Sequence, residues 1–250
     1  MTKMNKSVKA YKNLDFLNSR EARIIRILAE YLEPEKRFRE QHIKHTVVFF
    51  GSARIRQDDD FYPGISRYYS AAEETAFKLA EWSKALGTGN KTFTICSGGG
   101  PGIMEAANRG AQRAGVKSIG LNISLSTEQV PNPYISPELG FEFHYFFMRK
   151  LWFTYHAKAF IFFPGGFGTM DELFECLTLA QTGKMVKPDL QVLLYDRAFW
   201  EKTINFQHLK EMKLISDADT RFISYFETPD EGLEILKPHL EKVIKNFNLS

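Results

Sequence analysis

Short apolar runs alternate with longer amphipathic segments along this chain. Most of the runs are apolar on both faces, which is typical of strands buried within a parallel sheet. The predicted strands are Thr46–Phe50, Phe93–Cys96, Ser118–Ile123, Ala159–Phe163 and Gln191–Tyr195. This alternation predicts an α/β fold, a Rossmann-like, doubly wound and mainly parallel sheet with helices on both faces. Ligands are expected at the carboxyl ends of its strands.

The segments between the runs have apolar residues at helical spacing. Ser70–Leu86 and Ile103–Ala114 are each followed by a glycine, which is a common helix terminator. A further helix is predicted over Glu172–Thr182. The segment 124–140 contains Pro131, Pro133 and Pro137 and therefore cannot be regular throughout. Loops of this length are usually functional or disordered.

Two parts of unequal size are predicted. Residues 1–45 form a helical N-terminal extension with an apolar stripe that includes Ile24, Leu28 and Tyr31. Residues 46–250 form a single Rossmann-like nucleotide-binding catalytic domain, because no break in composition divides them. We expect the extension to pack on the sheet or on a partner subunit.

Charge and cysteine content narrow the functional class. The 33 basic and 30 acidic residues leave a net charge of +3, so no polybasic field indicates nucleic acid as a partner. No apolar run approaches the ~18 residues of a membrane span, and the first residues do not resemble a secretion signal. The two cysteines, Cys96 and Cys176, lie in apolar contexts typical of buried thiols. A reduced, cytoplasmic protein without membrane association is predicted.

Three predicted strands end in small residues. The loops are Gly51-Ser52 after the first strand, Gly98-Gly99-Gly100-Pro101-Gly102 after the second, and Pro164-Gly165-Gly166-Phe167-Gly168-Thr169 after the fourth. Glycine lets backbone N–H groups approach an anion, and the following helix presents its positive end. A single loop of this kind could be only a tight turn between strand and helix. Three in one sheet favour a phosphate site.

The familiar nucleotide and metal motifs are absent from the sequence. Counting from Gly98, the dinucleotide pattern G-x-G-x-x-G requires glycine where Ile103 stands, and no P-loop pattern occurs because Gly183-Lys184 is followed by Met185. The six histidines form no metal-binding motif. We therefore expect neither a metal nor a cofactor.

Thr169-Met170-Asp171-Glu172 has the spacing of a capping box, in which the threonine and glutamate side chains satisfy backbone N–H groups at a helix start. Thr228-Pro229-Asp230-Glu231 repeats the pattern without a glycine-rich loop before it. A cap requires no substrate. Any further role for Glu172 therefore has to be argued from its surroundings.

Together, the glycine-rich second loop, the Arg149-Lys150 pair and the P-G-G-x-G-T-x-x-E motif at 164–172 resemble the LOG family of cytokinin-activating phosphoribohydrolases. Members of this family are often labelled "possible lysine decarboxylase". The resemblance covers about residues 46–200. It implies a Rossmann-like fold, a homodimer or larger homo-oligomer, and hydrolysis of the N-glycosidic bond of a nucleoside 5′-monophosphate to a free base and ribose 5-phosphate.

The resemblance also assigns residues. It implies that Arg149 and Glu172 are catalytic. The substrate-binding residues that it implies are Gly51, Ser52, Gly98, Gly99, Gly100, Gly102, Met104, Lys150, Pro164, Gly165, Gly166, Phe167, Gly168 and Thr169.

Elementary chemistry is compatible with this assignment. Cleavage of a ribosyl C–N bond builds positive charge on the sugar, which a nearby carboxylate stabilises, or the carboxylate activates the water. In the first turn of a helix, Glu172 is expected to be held ionised by the helix dipole. Lysine decarboxylation would call for a pyridoxal Schiff base, and nothing marks a dedicated lysine; Lys150 and Lys158 are candidates by position only. The alternative is a protein of the same fold that binds a nucleotide or phosphorylated ligand without turnover.

Overall fold

One parallel sheet of seven strands forms the centre of the computed structural model, which describes residues 7–58, 61–87, 92–125, 130–185 and 190–247. The strands are β1 (Thr46–Phe50), β2 (Thr94–Ser97), β3 (Ser118–Ile123), β4 (Gly140–Phe143), β5 (Ala157–Phe162), β6 (Gln191–Tyr195) and β7 (Ile223–Phe226). Their order in the sheet is β4-β3-β2-β1-β5-β6-β7, and every neighbouring pair is parallel.

The order of the strands fixes where a ligand can bind. From β1 the chain builds outward through β2, β3 and β4, and it then returns to place β5 on the other side of β1. The direction of winding therefore reverses between β1 and β5. In open parallel sheets this reversal leaves a crevice outside the carboxyl ends of the two strands, where ligands bind.

Helices cover both faces of the sheet. They are α1 (Leu14–Asn18), α2 (Arg23–Glu40), α3 (Arg67–Ala85), α4 (Ile103–Arg113), α5 (Phe146–Tyr155), α6 (Phe167–Gln181), α7 (Arg197–Thr203), α8 (Phe206–Glu211) and α9 (Pro229–Phe247). Short 3₁₀ turns occur at Ala10–Lys12, Pro137–Leu139 and Asp217–Thr220. No helix within the described ranges is both long and apolar enough to cross a bilayer.

The alternation of side chains along the buried strands divides the apolar interior in two. In β1, Val48 and Phe50 belong to the cluster that includes residues of α2, α5 and α6. Val47 and Phe49 belong to the cluster under α3, α4 and α9. Because both faces of β1 are covered, all five of its residues are buried. Cys96 and Cys176 are both buried, as their apolar contexts predict.

Helix α2, which belongs to the predicted extension, is hydrogen-bonded to α5, the helix that carries Arg149. The carboxylate of Glu30 accepts hydrogen bonds from the backbone N–H groups of His144 (2.8 Å) and Tyr145 (3.2 Å), which precede α5. The Glu30 carbonyl accepts a further bond from the indole N–H of Trp152. These contacts satisfy donors at the start of α5 that its own backbone leaves unpaired.

The sequence predicts five strands, and all five are present with bounds shifted by at most two residues. It misses β4 and β7, which are the two edge strands of the sheet. Each has only four residues, and Glu142 and Ser224 interrupt their apolar character. The strand β4 also begins at the end of the segment predicted to be irregular, of which residues 126–129 lie outside the described ranges.

Candidate active site

The three glycine-containing loops meet at the reversal between β1 and β5. The backbone N–H of Ser52, after β1, donates to the carbonyl of Pro164, after β5 (3.1 Å). The Ser52 carbonyl accepts from the N–H of Ile103, the first residue of α4 (3.1 Å). The loop after β1 therefore lies between the other two and joins them.

Glycine is needed within these loops for packing at some positions and not at others. At Gly102, φ is 71° and a side chain would collide with the Ser52 carbonyl. A side chain at Gly98 would strike the guanidinium of Arg149 and the sulfur of Met104. In contrast, a β-carbon at Gly166 or Gly168 would meet no described atom within 4 Å. Packing within the chain therefore does not explain these two glycines.

The predicted start of the sixth helix is wrong. Helix α6 begins at Phe167, not at Glu172, and its N-cap residue is Gly166, which has no capping side chain. Thr169 is consequently the third helical residue and not the cap, and its side chain is buried against Gly165. No capping box forms here, because Glu172 lies in the second turn, beyond the reach of the N-cap N–H.

Glu172 instead contacts Arg149 of α5. Their Oε1 and Nη1 atoms are 3.4 Å apart, and only 14% and 10% of the respective side chains are exposed. The Nε of Arg149 donates to the Leu121 carbonyl at 2.7 Å, and its guanidinium lies 4.8 Å from the ring centre of Phe153. These contacts hold the guanidinium of Arg149 beside Gly98, the first glycine of the second loop.

Burial changes the acidity of this pair. It raises the pKa of Glu172 to about 7, an effect that the positive charge of Arg149 partly opposes. Burial also lowers the pKa of Arg149, against the opposing effect of Glu172. The expectation that a helix dipole holds Glu172 ionised is therefore wrong, because desolvation dominates in the second turn. Near neutral pH the carboxyl group can both accept and return a proton.

The remaining predicted residues occupy different positions around this pair. Met104 is the second residue of α4 and lies against Gly98. Phe167 is the first residue of α6 and is 97% exposed. Lys150 points instead to the outer side of α6, where its Nζ lies 2.7 Å from a carboxylate oxygen of Asp171 and 3.1 Å from one of Glu175.

Three buried asparagines at the second loop were not predicted. Asn108 of α4, Asn122 of β3 and Asn132 are all at most 6% exposed. The amide of Asn122 lies directly against Gly99. Of the three, only Asn108 could have been found from the sequence. It follows Ala106 and Ala107 in the buried stripe of α4, where a polar residue is unusual. Asn132 lies between two prolines in the irregular segment and carries no periodic signal.

The site offers donors for an anion at two helix starts. Both helices, α4 and α6, begin at the carboxyl edge of the sheet, and their first N–H groups have no partner within their own helices. In α4 the N–H of Ile103 already donates to Ser52, so its contribution is limited to the N–H groups of Met104 and Glu105. Among the described residues, no group of three or more histidine, cysteine, aspartate or glutamate side chains could hold a metal ion.

Comparison with known sequences gives one family and two curated relatives. The model of a family described as "Possible lysine decarboxylase" matches residues 104–236. A "probable cytokinin riboside 5′-monophosphate phosphoribohydrolase" of Oryza sativa subsp. japonica is 26% identical over 84% of this chain and 92% of its own length. A cytokinin riboside 5′-monophosphate phosphoribohydrolase of Arabidopsis thaliana is 26% identical over 70% of this chain and 78% of its own.

Solved structures share the fold at lower identity. A structural-genomics protein of 19% identity has a TM-score of 0.53 over 78% of this chain and 99% of its own. The molybdenum cofactor carrier protein of Chlamydomonas reinhardtii has 16% identity and a TM-score of 0.51 over 80% of this chain and 99% of its own. Both similarities establish the fold alone.

Proposed function

Since this chain belongs to the family described as "Possible lysine decarboxylase", which includes the LOG phosphoribohydrolases, we propose that it hydrolyses the N-glycosidic bond of a nucleoside 5′-monophosphate. The substrate is AMP or a related nucleotide, with cytokinin nucleotides included. The products are the free base and ribose 5-phosphate. The observation that carries this proposal is the buried Arg149–Glu172 pair beside the three loops.

The two residues have complementary roles in the proposed reaction. The C1′–N bond breaks and its electron pair leaves with the base, which builds positive charge on the ribose ring. The carboxylate of Glu172 stabilises this charge and takes a proton from the water whose oxygen bonds to C1′. The departing base then receives that proton from Glu172. A pKa of about 7 suits both transfers at neutral pH.

Arg149 keeps the carboxylate available. Without a cation, burial would hold Glu172 in its neutral form, which can neither stabilise the sugar cation nor accept a proton. The guanidinium opposes that effect, and its bond to Leu121 fixes its position.

The phosphate is assigned to the open side of the third loop. The N–H groups of Phe167, Gly168 and Thr169 are the first of α6 and have no acceptor within the helix. The absence of side chains at Gly166 and Gly168 leaves room for an anion to approach them. This use explains the two glycines for which packing gives no reason.

Neither candidate lysine supports decarboxylation through a Schiff base. Burial lowers the pKa of Lys150, but the hydrogen bonds to Asp171 and Glu175 outweigh it and the pKa is raised, which keeps the amine protonated. Burial lowers the pKa of Lys158, yet this residue is the second of β5 and lies at the amino edge of the sheet. The glycine loops lie at the opposite edge.

A panel of substrates tests the proposal. The purified protein is incubated with AMP, GMP, CMP, UMP and an isopentenyl-adenosine monophosphate, and the released base is measured by chromatography. We expect at least one monophosphate to be cleaved, adenosine to react poorly because it lacks the phosphate, and a chelator to leave the rate unchanged. Binding of monophosphates without release of base would instead favour a non-catalytic ligand-binding protein, which needs no buried carboxylate and guanidinium.

We also propose that the working unit is a homodimer or larger homo-oligomer. Large apolar side chains of three neighbouring helices are exposed, among them Leu28 of α2, Phe147 and Tyr155 of α5, and Phe174 of α6. Apolar surface of this kind is typical of protein interfaces. Light scattering after gel filtration should give a mass of at least twice 28.8 kDa. A monomer across the concentrations used for the activity assay would contradict the proposal.

A further inference from the structure

A buried network of hydrogen bonds joins the second glycine loop to α4 and β3. The Ser97 hydroxyl accepts from the Gly99 N–H at 3.0 Å and donates to the side-chain oxygen of Asn108 at 2.6 Å. Asn108 in turn donates to the Ser118 hydroxyl and to the Ile119 carbonyl, both in β3. The loop is thereby tied to the strands on the β3 side of β2.

Asn132 is the central contact of the loop to this network. Its side-chain amide nitrogen lies 3.1 Å from the Gly99 carbonyl, 3.0 Å from the Gly100 carbonyl and 3.0 Å from the Asn108 side-chain oxygen. Its backbone N–H donates to the Gly99 carbonyl at 2.9 Å. Its side-chain oxygen accepts from the Tyr134 N–H at 3.1 Å. The NH₂ group and the oxygen of this side chain are therefore both engaged in hydrogen bonds.

The two bonds to the Gly99 carbonyl determine where the next N–H points. Peptide bonds are planar, and none of those in the described residues is cis. In a trans peptide the N–H is opposite to the C=O, so the N–H of Gly100 points away from Asn132. Asn132 contacts Asn108, which is bonded to β3, and Asn122 of β3 lies against Gly99. In the strand order, β1 and the crevice lie on the opposite side of β2 from β3.

We propose that Asn132 is a positioning residue that turns the Gly100 N–H toward the crevice as a donor to the anionic part of the substrate. By holding the Gly99 and Gly100 carbonyls, Asn132 also keeps the negative ends of two peptide dipoles away from that anion. This inference rests on the proposed function, because it names a further part of the same site. The irregular segment around residue 132 would then serve to fix the conformation of the second glycine loop.

An isosteric substitution isolates the donor. Asn132→Asp keeps the shape of the side chain but replaces the NH₂ with an oxygen, which faces three acceptor oxygens. Asn205→Asp is the matched control, because the Asn205 side chain accepts a hydrogen bond from the His208 N–H at the start of α8, and a carboxylate accepts equally well. The readouts are the melting temperature, KM and kcat for AMP, and the Kd for AMP measured by calorimetry in the Glu172→Gln background.

We expect Asn132→Asp to remain folded, to raise KM and Kd at least ~10-fold and to change kcat by less than ~3-fold, whereas Asn205→Asp changes none of them. Asn132→Ser provides a second test should the aspartate variant fail to fold, with the same direction of change. Unchanged KM and Kd in a folded variant would overturn the inference, and so would a parent protein that binds neither AMP nor inorganic phosphate. AMP that binds to the parent without being cleaved would contradict only the proposed hydrolysis, and Kd would still decide the role of Asn132.

Discussion

The same four-residue pattern, Thr-x-x-Glu, occurs twice in this protein with different structural results. At Thr228, helix α9 begins at the next residue, the threonine hydroxyl accepts from the Glu231 N–H, and the Glu231 carboxylate accepts from the Glu227 N–H. At Thr169, the helix has already begun two residues earlier, and Glu172 turns into the protein to meet Arg149. One copy caps a helix, and the other supplies a buried carboxyl group.

The residues before each copy account for this difference. Pro229 fixes the first helical residue directly after Thr228, because its φ suits a helix start and it has no N–H to satisfy. Before Thr169 stand Gly166 and Gly168, and the helix starts between them. The shift moves the glutamate from the third helical residue to the sixth, and so from the surface to the interior. A capping pattern therefore has to be interpreted together with the position at which the helix begins.

The largest expected effect comes from removing Arg149, the cation that contacts the glutamate of the first copy. Arg149→Met should lower turnover of AMP by about 100- to 1000-fold, the usual loss when one charged group acting on a transition state is removed. Lys78→Met is the control, since Lys78 pairs with Asp230 of the second copy at the surface. It should leave turnover unchanged and alter the unfolding free energy little, because exposed ion pairs contribute little to stability. A similar loss of turnover in both variants would mean that the contrast between the two copies has no catalytic meaning.

The second effect concerns pH. The pKa of Glu172 is about 7 in the folded protein against an ordinary value of 4.5, so the unfolded chain loses this proton first as the pH rises. Stability should therefore decrease from pH 4.5 to about 7 by an amount on the order of 3 kcal/mol, and this contribution should level off above that range. Denaturant titrations at pH 5 and pH 8 measure it.

Glu172→Gln serves as the comparison in that titration, because glutamine cannot ionise. Its decrease in unfolding free energy between the two pH values should be smaller than that of the parent, whereas Glu231→Gln should behave as the parent does. An equal decrease in the parent and in Glu172→Gln would show that Glu172 has no raised pKa.

The smallest effect concerns the two threonines. Thr228→Ala should cost about 1 kcal/mol of unfolding free energy through the lost cap, with no change in KM for AMP. Thr169→Ala removes no cap and keeps the N–H. We expect it to raise KM, because the Thr169 hydroxyl stands beside the N–H groups assigned to the phosphate and we assign it to the same anion. A lost cap at both positions and unchanged KM at both would return Thr169 to a purely structural role.

The sequence predicts the inner part of this fold well because buried parallel strands leave a strong apolar signal. The five inner strands and the three loops at their carboxyl ends follow from that signal and from the glycines. The edge strands β4 and β7 do not, because a strand with only one neighbour can include polar residues such as Glu142. Their four-residue length leaves no periodicity to detect.

At the candidate site, spacing indicates which residues matter but not what surrounds them. The contact between Arg149 and Glu172 joins two helices, and the raised pKa of Glu172 depends on burial produced by the whole fold. The start of α6 is predicted too late because Thr169 and Glu172 have the spacing of a capping box, although the helix already begins within the glycine-rich loop. Asn132 was missed because its hydrogen bonds reach the loop around Gly99 from 33 residues away.

The most direct test measures base release from AMP by Glu172→Gln, Glu231→Gln and the parent protein. The melting temperature of each variant is measured alongside. Our account predicts that both variants stay folded, that Glu172→Gln loses at least ~100-fold in turnover, and that Glu231→Gln keeps full activity. Equal activity of the two folded variants would contradict the catalytic assignment of Glu172 and favour a protein that binds its nucleotide without cleaving it.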